Sequence, residues 1–245
     1  MTTLFISDLH LSDERPEKLR LFEQFMAGPA HAAGTLYILG DLIEVWAGDD
    51  DRTPPHPWLI EQLRSFTNDG GQLYVMRGNR DFLMGQRFCN ETGAVMLEDP
   101  SVIELRGRSV LTMHGDLLCT QDVGYQRYRR LVHAPWFQKL FLAIPGFLRV
   151  RIAHGFRSLA RRLSTGKSSI MTDVDQQTVE AIMRQYNVSL LIHGHTHRPA
   201  IHDFTSHGRD YRRIVIGDWY EQDSVLVSDN DGERLLRVRE LLGAS

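Results

Sequence analysis

Five short apolar runs in this chain each end in residue types that can bind a metal ion. Leu4 to Ile6 leads into Ser7-Asp8-Leu9-His10, Leu36 to Leu39 into Gly40-Asp41, and Leu73 to Met76 into Gly78-Asn79-Arg80-Asp81. Val110 to Met113 leads into His114-Gly115-Asp116, and Leu190 to Ile192 into Gly194-His195-Thr196-His197. In extended backbone, residues two apart project to the same side, so Asp8 and His10 point together from a strand end. A carboxylate beside an imidazole suits Mn²⁺, Fe²⁺ or Zn²⁺ better than Ca²⁺. One Asp-x-His also fits a strand running into a polar turn; five such endings, four of them beside glycine, do not. Sheets bring strand ends to a common edge, and glycine lets the backbone turn sharply and approach an ion or phosphate.

Asp8, His10, Asp41, Asn79, His114, His195 and His197 are enough for two ions. Asp41 is the natural bridge, because a carboxylate has two oxygens and compensates two positive charges. Asn79 adds a neutral amide oxygen, which limits negative charge. Two ions ~3.5–4 Å apart can share a water, lower its pKa and clamp an in-line displacement at phosphorus. The chemistry expected is hydrolysis of a phosphoester or phosphoanhydride.

The elements that must carry these residues alternate. Helices are predicted over Glu17 to Met26, Trp58 to Asn68, Phe82 to Glu91 and Asp173 to Tyr186, from apolar residues at helical spacing. Strands are predicted at the five runs above, at Ser101 to Leu105 and Arg108 to Met113, and in a β-rich finish over Arg213 to Ile216, Ser224 to Val227 and Leu235 to Val238. The alternation predicts an α/β layered core, and 245 residues fit one large domain, 1–245, with an insertion. Asp49 to Asp51 reads as a solvated acidic loop. No apolar run approaches membrane-spanning length, the N-terminus lacks a signal peptide's regions, and Cys89 and Cys119 suggest no disulfide framework, so the cytosol is expected.

The net charge of −3 hides an asymmetry. Tyr125 to Ile170 carries ten Lys and Arg and no Asp or Glu, together with seven of the chain's 22 aromatic residues. This stretch reads as two or three short helices separated around Pro135 and Pro145, with too many apolar residues for one covered face. It suits a nucleic-acid surface, a lid over an amphiphilic substrate, or an ordinary basic insertion. Its apolar density argues against nucleic acid alone, whereas an anionic lipid or membrane surface meets both features.

The ordered set Asp-x-His, Gly-Asp, Gly-Asn-x-x, His-Gly-Asp and Gly-His-Thr-His resembles the pattern of the calcineurin-like metallophosphoesterases. That resemblance implies two facing mixed β-sheets flanked by helices (α/β/β/α), a dimetal site at one edge, and the seven residues above as ligands with Asp41 bridging. Many members have a histidine after the asparagine that protonates a leaving alkoxide; here it is Arg80. Arginine is no acid near neutral pH but grips phosphate oxygens bidentately, which favours a leaving group that needs no proton, as in pyrophosphate cleavage.

Leu4 to Leu11, Tyr37 to Asp41, Gly48-Asp49-Asp50, Gly78 to Leu83, His114-Gly115-Asp116 and Ile192 to Pro199 are similar, more specifically, to the UDP-2,3-diacylglucosamine diphosphatase family of lipid A synthesis. This similarity implies two Mn²⁺ per chain and attack on the α-phosphate of UDP-2,3-diacylglucosamine. It also implies a helical lid over 125–170 and peripheral association with the cytoplasmic face of the inner membrane; no nucleic-acid or protein partner is expected. Catalytic roles would fall on Asn79, Arg80 and His195, and substrate contacts on Asn79, Arg80, Asp122, Ser164, Lys167 and His195. Ala160 and Ser164 depart from the family's serine and asparagine. The alternatives are a dimetal phosphodiesterase for another nucleotide or a nucleic acid, and a non-enzymatic scaffold with the same fold.

Overall fold

The structure, a computed structural model, describes residues 2–164 and 173–243. Strands β1 (Thr3–Ile6), β2 (Thr35–Leu39), β3 (Gln72–Met76) and β4 (Val95–Leu97) are joined by α1 (Pro16–Phe25), α2 (His31–Ala33), α3 (His56–Asn68) and α4 (Gln86–Thr92). Next come β5 (Ser101–Leu105), β6 (Arg108–Met113), α5 (Val123–Val132), α6 (Pro135–Leu142), α7 (Gly146–Ser164) and α8 (Gln176–Gln185). The chain closes with β7 (Leu190–His193), β8 (Ala200–Ser206), β9 (Arg209–Val215), β10 (Ser224–Asp229), β11 (Gly232–Arg237) and α9 (Val238–Gly243).

Two mixed sheets face each other, one ordered β11-β10-β1-β2-β3-β4 and the other β5-β6-β7-β9-β8. The two-residue period of a strand sorts the core into layers. Phe5, Tyr37 and Leu39 meet Val110, Leu190, Ile192 and Ile214 between the sheets. The alternate residues Leu4, Ile6, Leu36 and Ile38 face outward onto Phe22, Phe25, Leu59 and Leu63 of α1 and α3. Leu111, Met113 and Leu191 pack outward on Val179 and Met183 of α8. β1, β2, β6 and β7 are thus apolar on both faces, as continuous apolar runs require.

β1, β2 and β3 run parallel, with Ile6 opposite Ile38 and Leu39 opposite Met76. In the second sheet β6 and β7 are parallel, with Met113 opposite His193. Five parallel strands therefore end at one edge of the sandwich, and each of the five candidate-ligand motifs begins within two residues of one of those ends.

Two expectations are corrected. The helix expected over Phe82 to Glu91 begins only at Gln86, because the Asp49 carboxylate accepts the N–H groups of Gly85 (2.9 Å) and Phe88 (3.0 Å) and fixes the helix start there. The same contacts overturn the solvated acidic loop. Asp49 also accepts from Trp46 Nε1 at 3.0 Å, Asp51 is buried and bonded to Thr53, and Asp50 pairs with Arg149 of α7. Arg149 is itself buried, and its Nη1 donates to the Ala47 carbonyl at 2.5 Å. Gly48, at φ +124°, makes room for it; a Cβ there would lie 2.3 Å from Arg149 Nη1. Gly48-Asp49-Asp50 is a clasp between α4, α7 and the sandwich.

Candidate metal centre

All seven predicted ligands converge. His10 Nε2 lies 3.4 Å from His197 Nε2 and 3.6 Å from Asp41 Oδ2, and His197 Nε2 lies 3.4 Å from Asp8 Oδ1. On the other side, His114 Nε2 lies 3.2 Å from Asn79 Oδ1, 3.2 Å from His195 Nδ1 and 3.9 Å from Asp41 Oδ1. Asp8, His10 and His197 form one group of mutually close donors and Asp8, Asp41 and His114 another; Asn79 and His195 stand beside His114, and the two Asp41 oxygens face His10 and His114. Donors held about 2.0–2.2 Å from an ion stand about 2.8–3.6 Å apart in octahedral or tetrahedral geometry, which matches these spacings except the His114–Asp41 distance of 3.9 Å. Asp8 Oδ1 is buried and makes no well-formed hydrogen bond; it faces the His197 imidazole at 3.4 Å, and a cation between the two would satisfy both donors. The residues present fit a pair of divalent ions.

The loops are shaped for this. Asp8, His10, Asp41, His195 and His197 all hold left-handed backbone, with φ between +48° and +71°. Such non-glycine residues cost about 1–3 kcal/mol each and persist where surroundings enforce them. Here the enforcement is visible. Asp81 is fully buried and accepts from Gly78 N (2.6 Å), Leu42 N (2.8 Å) and Asp41 N (3.4 Å), tying the β2 and β3 loops together. Asp8 Oδ2 accepts from His195 N at 2.7 Å, and Asp41 Oδ1 from Arg80 N at 2.8 Å. Gly78 permits the approach, because a Cβ there would sit 2.3 Å from Asp41 Oδ1 and 2.4 Å from Asp41 N.

The nitrogens of His114, His197 and His10 that turn away from the donor groups face oxygen atoms. His114 Nδ1 donates to the Leu39 carbonyl at 2.9 Å, which leaves the Nε2 lone pair for the site. His197 Nδ1 faces Asp218 Oδ2 at 3.3 Å and His10 Nδ1 faces Glu44 Oε2 at 3.7 Å; the Tyr220 hydroxyl donates to that same Glu44 oxygen. The Tyr220 ring also stacks on His10, 5.1 Å between centroids. Partners of this kind fix tautomer and ring orientation in metal sites. Asp218, Glu44, Tyr220 and Asp81 had no assigned role in the sequence; for Asp81 a signal existed, its place beside Asn79 in the motif.

The charges answer to one another. Burial draws the His197 imidazole down, but the Asp218 and Asp8 carboxylates outweigh it and lift the group to about 10. Burial likewise lowers His114, and Asp41 and Asp8 raise it to about 9. Burial pushes the Asp41 carboxyl up, to about 7, and pulls the His195 imidazole down to about 4. A divalent cation needs neutral imidazoles and ionised carboxylates, so its binding releases protons.

Helix α5 is docked on this centre. The Tyr125 hydroxyl (2.7 Å) and Arg129 Nε (2.6 Å) both donate to Asp116 Oδ2. Arg129 Nη2 reaches Asp99 Oδ2 at 2.9 Å, and Asp99 Oδ1 accepts the His114 N–H at 3.1 Å. Asp122 is the N-cap of α5, accepting from Tyr125 N at 3.0 Å. Arg80 is half-buried beside the centre, and its Nε makes no hydrogen bond. Ser164 is the last residue of α7, but its side chain and that of Ala160 lie outside the described residues, as does Lys167. His193 is buried outside both donor groups, its Nδ1 2.9 Å from the Gly194 carbonyl.

Residues 1–199 match the calcineurin-like phosphoesterase family. The chain belongs to that family. It is 45% identical to UDP-2,3-diacylglucosamine hydrolase of Enterobacter sp. (strain 638), over 97% of this chain and 99% of that one. It is 47% identical to the protein of the same name from Aeromonas salmonicida (98% and 94% covered) and 48% to that from Vibrio vulnificus (96% and 97% covered). Among solved structures, a phosphoesterase from E. coli aligns over 98% of this chain and 95% of its own, with 18% identity and a TM-score of 0.48. Family membership accounts for two facing sheets and for donors gathered at one sheet edge.

Proposed function

We propose that the chain is a Mn²⁺-dependent UDP-2,3-diacylglucosamine diphosphatase of lipid A synthesis. The observation that carries this is the pair of donor groups sharing Asp41, set beside basic helices that leave large apolar side chains in solvent. The names of relatives 45–48% identical over nearly their full length support the substrate. Asp8, His10, Asp41 and His197 would hold one ion, and Asp41, Asn79, His114 and His195 the other. A divalent pair, when bound, supplies a water of lowered pKa and a clamp on the phosphoryl oxygens; Mn²⁺ suits this mixture of carboxylate, amide and imidazole donors.

The protein's own groups do the rest. The Arg80 guanidinium, kept beside Asp41 by its main-chain N–H, grips the phosphate oxygens. Asn79 and His195 position the same phosphate from the second donor group. The water oxygen would bond to the α-phosphorus, its proton passing to solvent, while the bond to the bridging oxygen breaks, so the electron pair leaves with 2,3-diacylglucosamine 1-phosphate and the nucleotide becomes UMP. That leaving group is already an anion and needs no proton, which is consistent with arginine at position 80.

Helices α5 to α7 form the lid over the acyl chains. Trp136, Leu140, Phe147 and Phe156 are 58–70% exposed, among the exposed cations Arg127, Arg130, Lys139 and Arg151. Basic residues beside such a face suit an anionic bilayer surface, here the cytoplasmic face of the inner membrane. Among the described residues no helix is long and apolar enough to cross a membrane. The test is hydrolysis of UDP-2,3-diacylglucosamine in ¹⁸O-water with and without Mn²⁺. Label in UMP, and loss of turnover in folded His10→Ala and Asp41→Ala, are expected. Label in the sugar phosphate, or equal rates on UDP-glucosamine without acyl chains, would refute the proposal.

A further inference from the structure

Behind the His195 loop lies a space of ≈ 200 Å³ lined by Asp173, Thr196, Arg198, Ala200, His202 and Arg213 among others. Arg213 is only 8% exposed. Its Nε is buried without a hydrogen-bond partner, and its Nη1 reaches only the imidazole of His193, at 3.4 Å. The carboxylate lining this space, Asp173, is engaged by Arg198 at 2.5 Å. No carboxylate lies within ion-pair distance of Arg213 among the described residues, and 165–172 contains no Asp or Glu. Burial lowers the pKa of the Arg213 guanidinium, and Asp173, shared with Arg198 and beyond ion-pair distance of Arg213, only partly offsets this; each unsatisfied N–H adds to the cost. Two guanidiniums against one carboxylate leave the space with net positive charge.

We propose that this space is an anion site for a phosphate-type oxyanion, with Arg213 as its anchor and Arg198 at its rim. A tetrahedral oxyanion takes two N–H groups from one guanidinium face, which would satisfy the orphaned Nε and the charge together. The site is separate from the donor groups but abuts them, since Thr196 lies between His195 and His197, and Arg213 touches His193 next to Gly194. The oxyanion could be free phosphate or the phosphate of a nucleotide. The inference does not depend on the lipid substrate.

Register supplies a sharp test. His202 of β8 and Arg213 of β9 are cross-strand partners, and His202 is exposed, so His202→Glu places a carboxylate opposite the guanidinium. Full-length protein, loaded with Mn²⁺ and after EDTA treatment, is titrated with inorganic phosphate, UMP and uridine by calorimetry and thermal unfolding. Phosphate and UMP should bind and raise the Tm even after EDTA, and uridine should not. UMP binding about tenfold tighter than phosphate assigns the site to a nucleotide, equal affinity to free phosphate. His202→Glu should have a higher Tm than the parent without added anion and about tenfold weaker phosphate binding after EDTA. Arg213→Gln should lose the EDTA-resistant binding and keep the Mn²⁺-dependent one. Absence of phosphate binding to EDTA-treated parent protein, or parent-like binding and Tm in His202→Glu, overturns the proposal.

Discussion

Replacing Asp81 by asparagine tests whether the metal centre is held by its carboxylate scaffold. Asp81 binds no predicted ion; it accepts three main-chain N–H groups, two from the loop carrying Asp41 and one from the loop carrying Asn79. An asparagine oxygen can keep Gly78 and Asp41, but its amide nitrogen then confronts the Leu42 N–H, donor against donor. A charge-assisted bond is lost and a buried donor left unpaired, at about 2–4 kcal/mol. Part of this is offset, because burial already raises the Asp81 carboxyl and the substitution removes a desolvated charge. A net destabilisation of about 2 kcal/mol is expected in urea unfolding of the metal-free protein. Loss of such an outer partner typically weakens a metal site about 10–100-fold, which Mn²⁺ titration followed by electron paramagnetic resonance reads directly. Asp203→Asn, on an exposed carboxylate paired with Arg212, is the control and should change neither. An Asp81→Asn protein within about 0.5 kcal/mol of the parent, with Mn²⁺ affinity intact, would refute the scaffold.

Other consequences are equally direct. Gly78→Ala drives a methyl against Asp41 Oδ1 and the Asp41 main chain, so the loops must part; Mn²⁺ titration should show loss of binding, with about 1–3 kcal/mol of overpacking cost in unfolding. Burial, with Arg129 adding to it, holds the His133 imidazole down at about 4, against an ordinary 6.5. The unfolded chain therefore takes up this proton first as pH falls from about 6.5 toward 4, and stability drops across that window. His133→Phe, beside the Phe82 ring, should flatten the dependence when urea midpoints are compared at pH 7 and pH 4.5. Trp136→Glu with Phe147→Glu replaces two apolar side chains that already lie in water; sedimentation with anionic vesicles should fall about tenfold or more, while Tm holds.

The seven candidate ligands stand out in the sequence because metal donors are rare in runs of Leu, Ile and Val, and because five strand ends repeat one arrangement. β5 and β6 were read at their observed limits, since apolar residues and the turn at Gly107 bracket them. β8 escaped notice because Ala-Ile-His-Asp-Phe-Thr-Ser is a polar, largely exposed edge strand, and β4 because three residues give no period. The harder loss concerns carboxylates. Asp49, Asp81, Asp99, Asp116 and Asp218 share a residue type with the candidate ligands Asp8 and Asp41, yet they grip main-chain N–H groups, an arginine or an imidazole. Only the fold decides which carboxylates face an ion and which face the backbone that presents it.

Left-handed backbone at Asp8, His10, Asp41, His195 and His197, pinned by bonds among the loops, gives the pocket one aperture before any cation enters. Ca²⁺, which prefers more oxygens at about 2.3–2.6 Å, would meet donors unable to step back. Discrimination by size then resides in the main chain, and a substitution that relaxes it should broaden the range of ions accepted even with every donor atom unchanged.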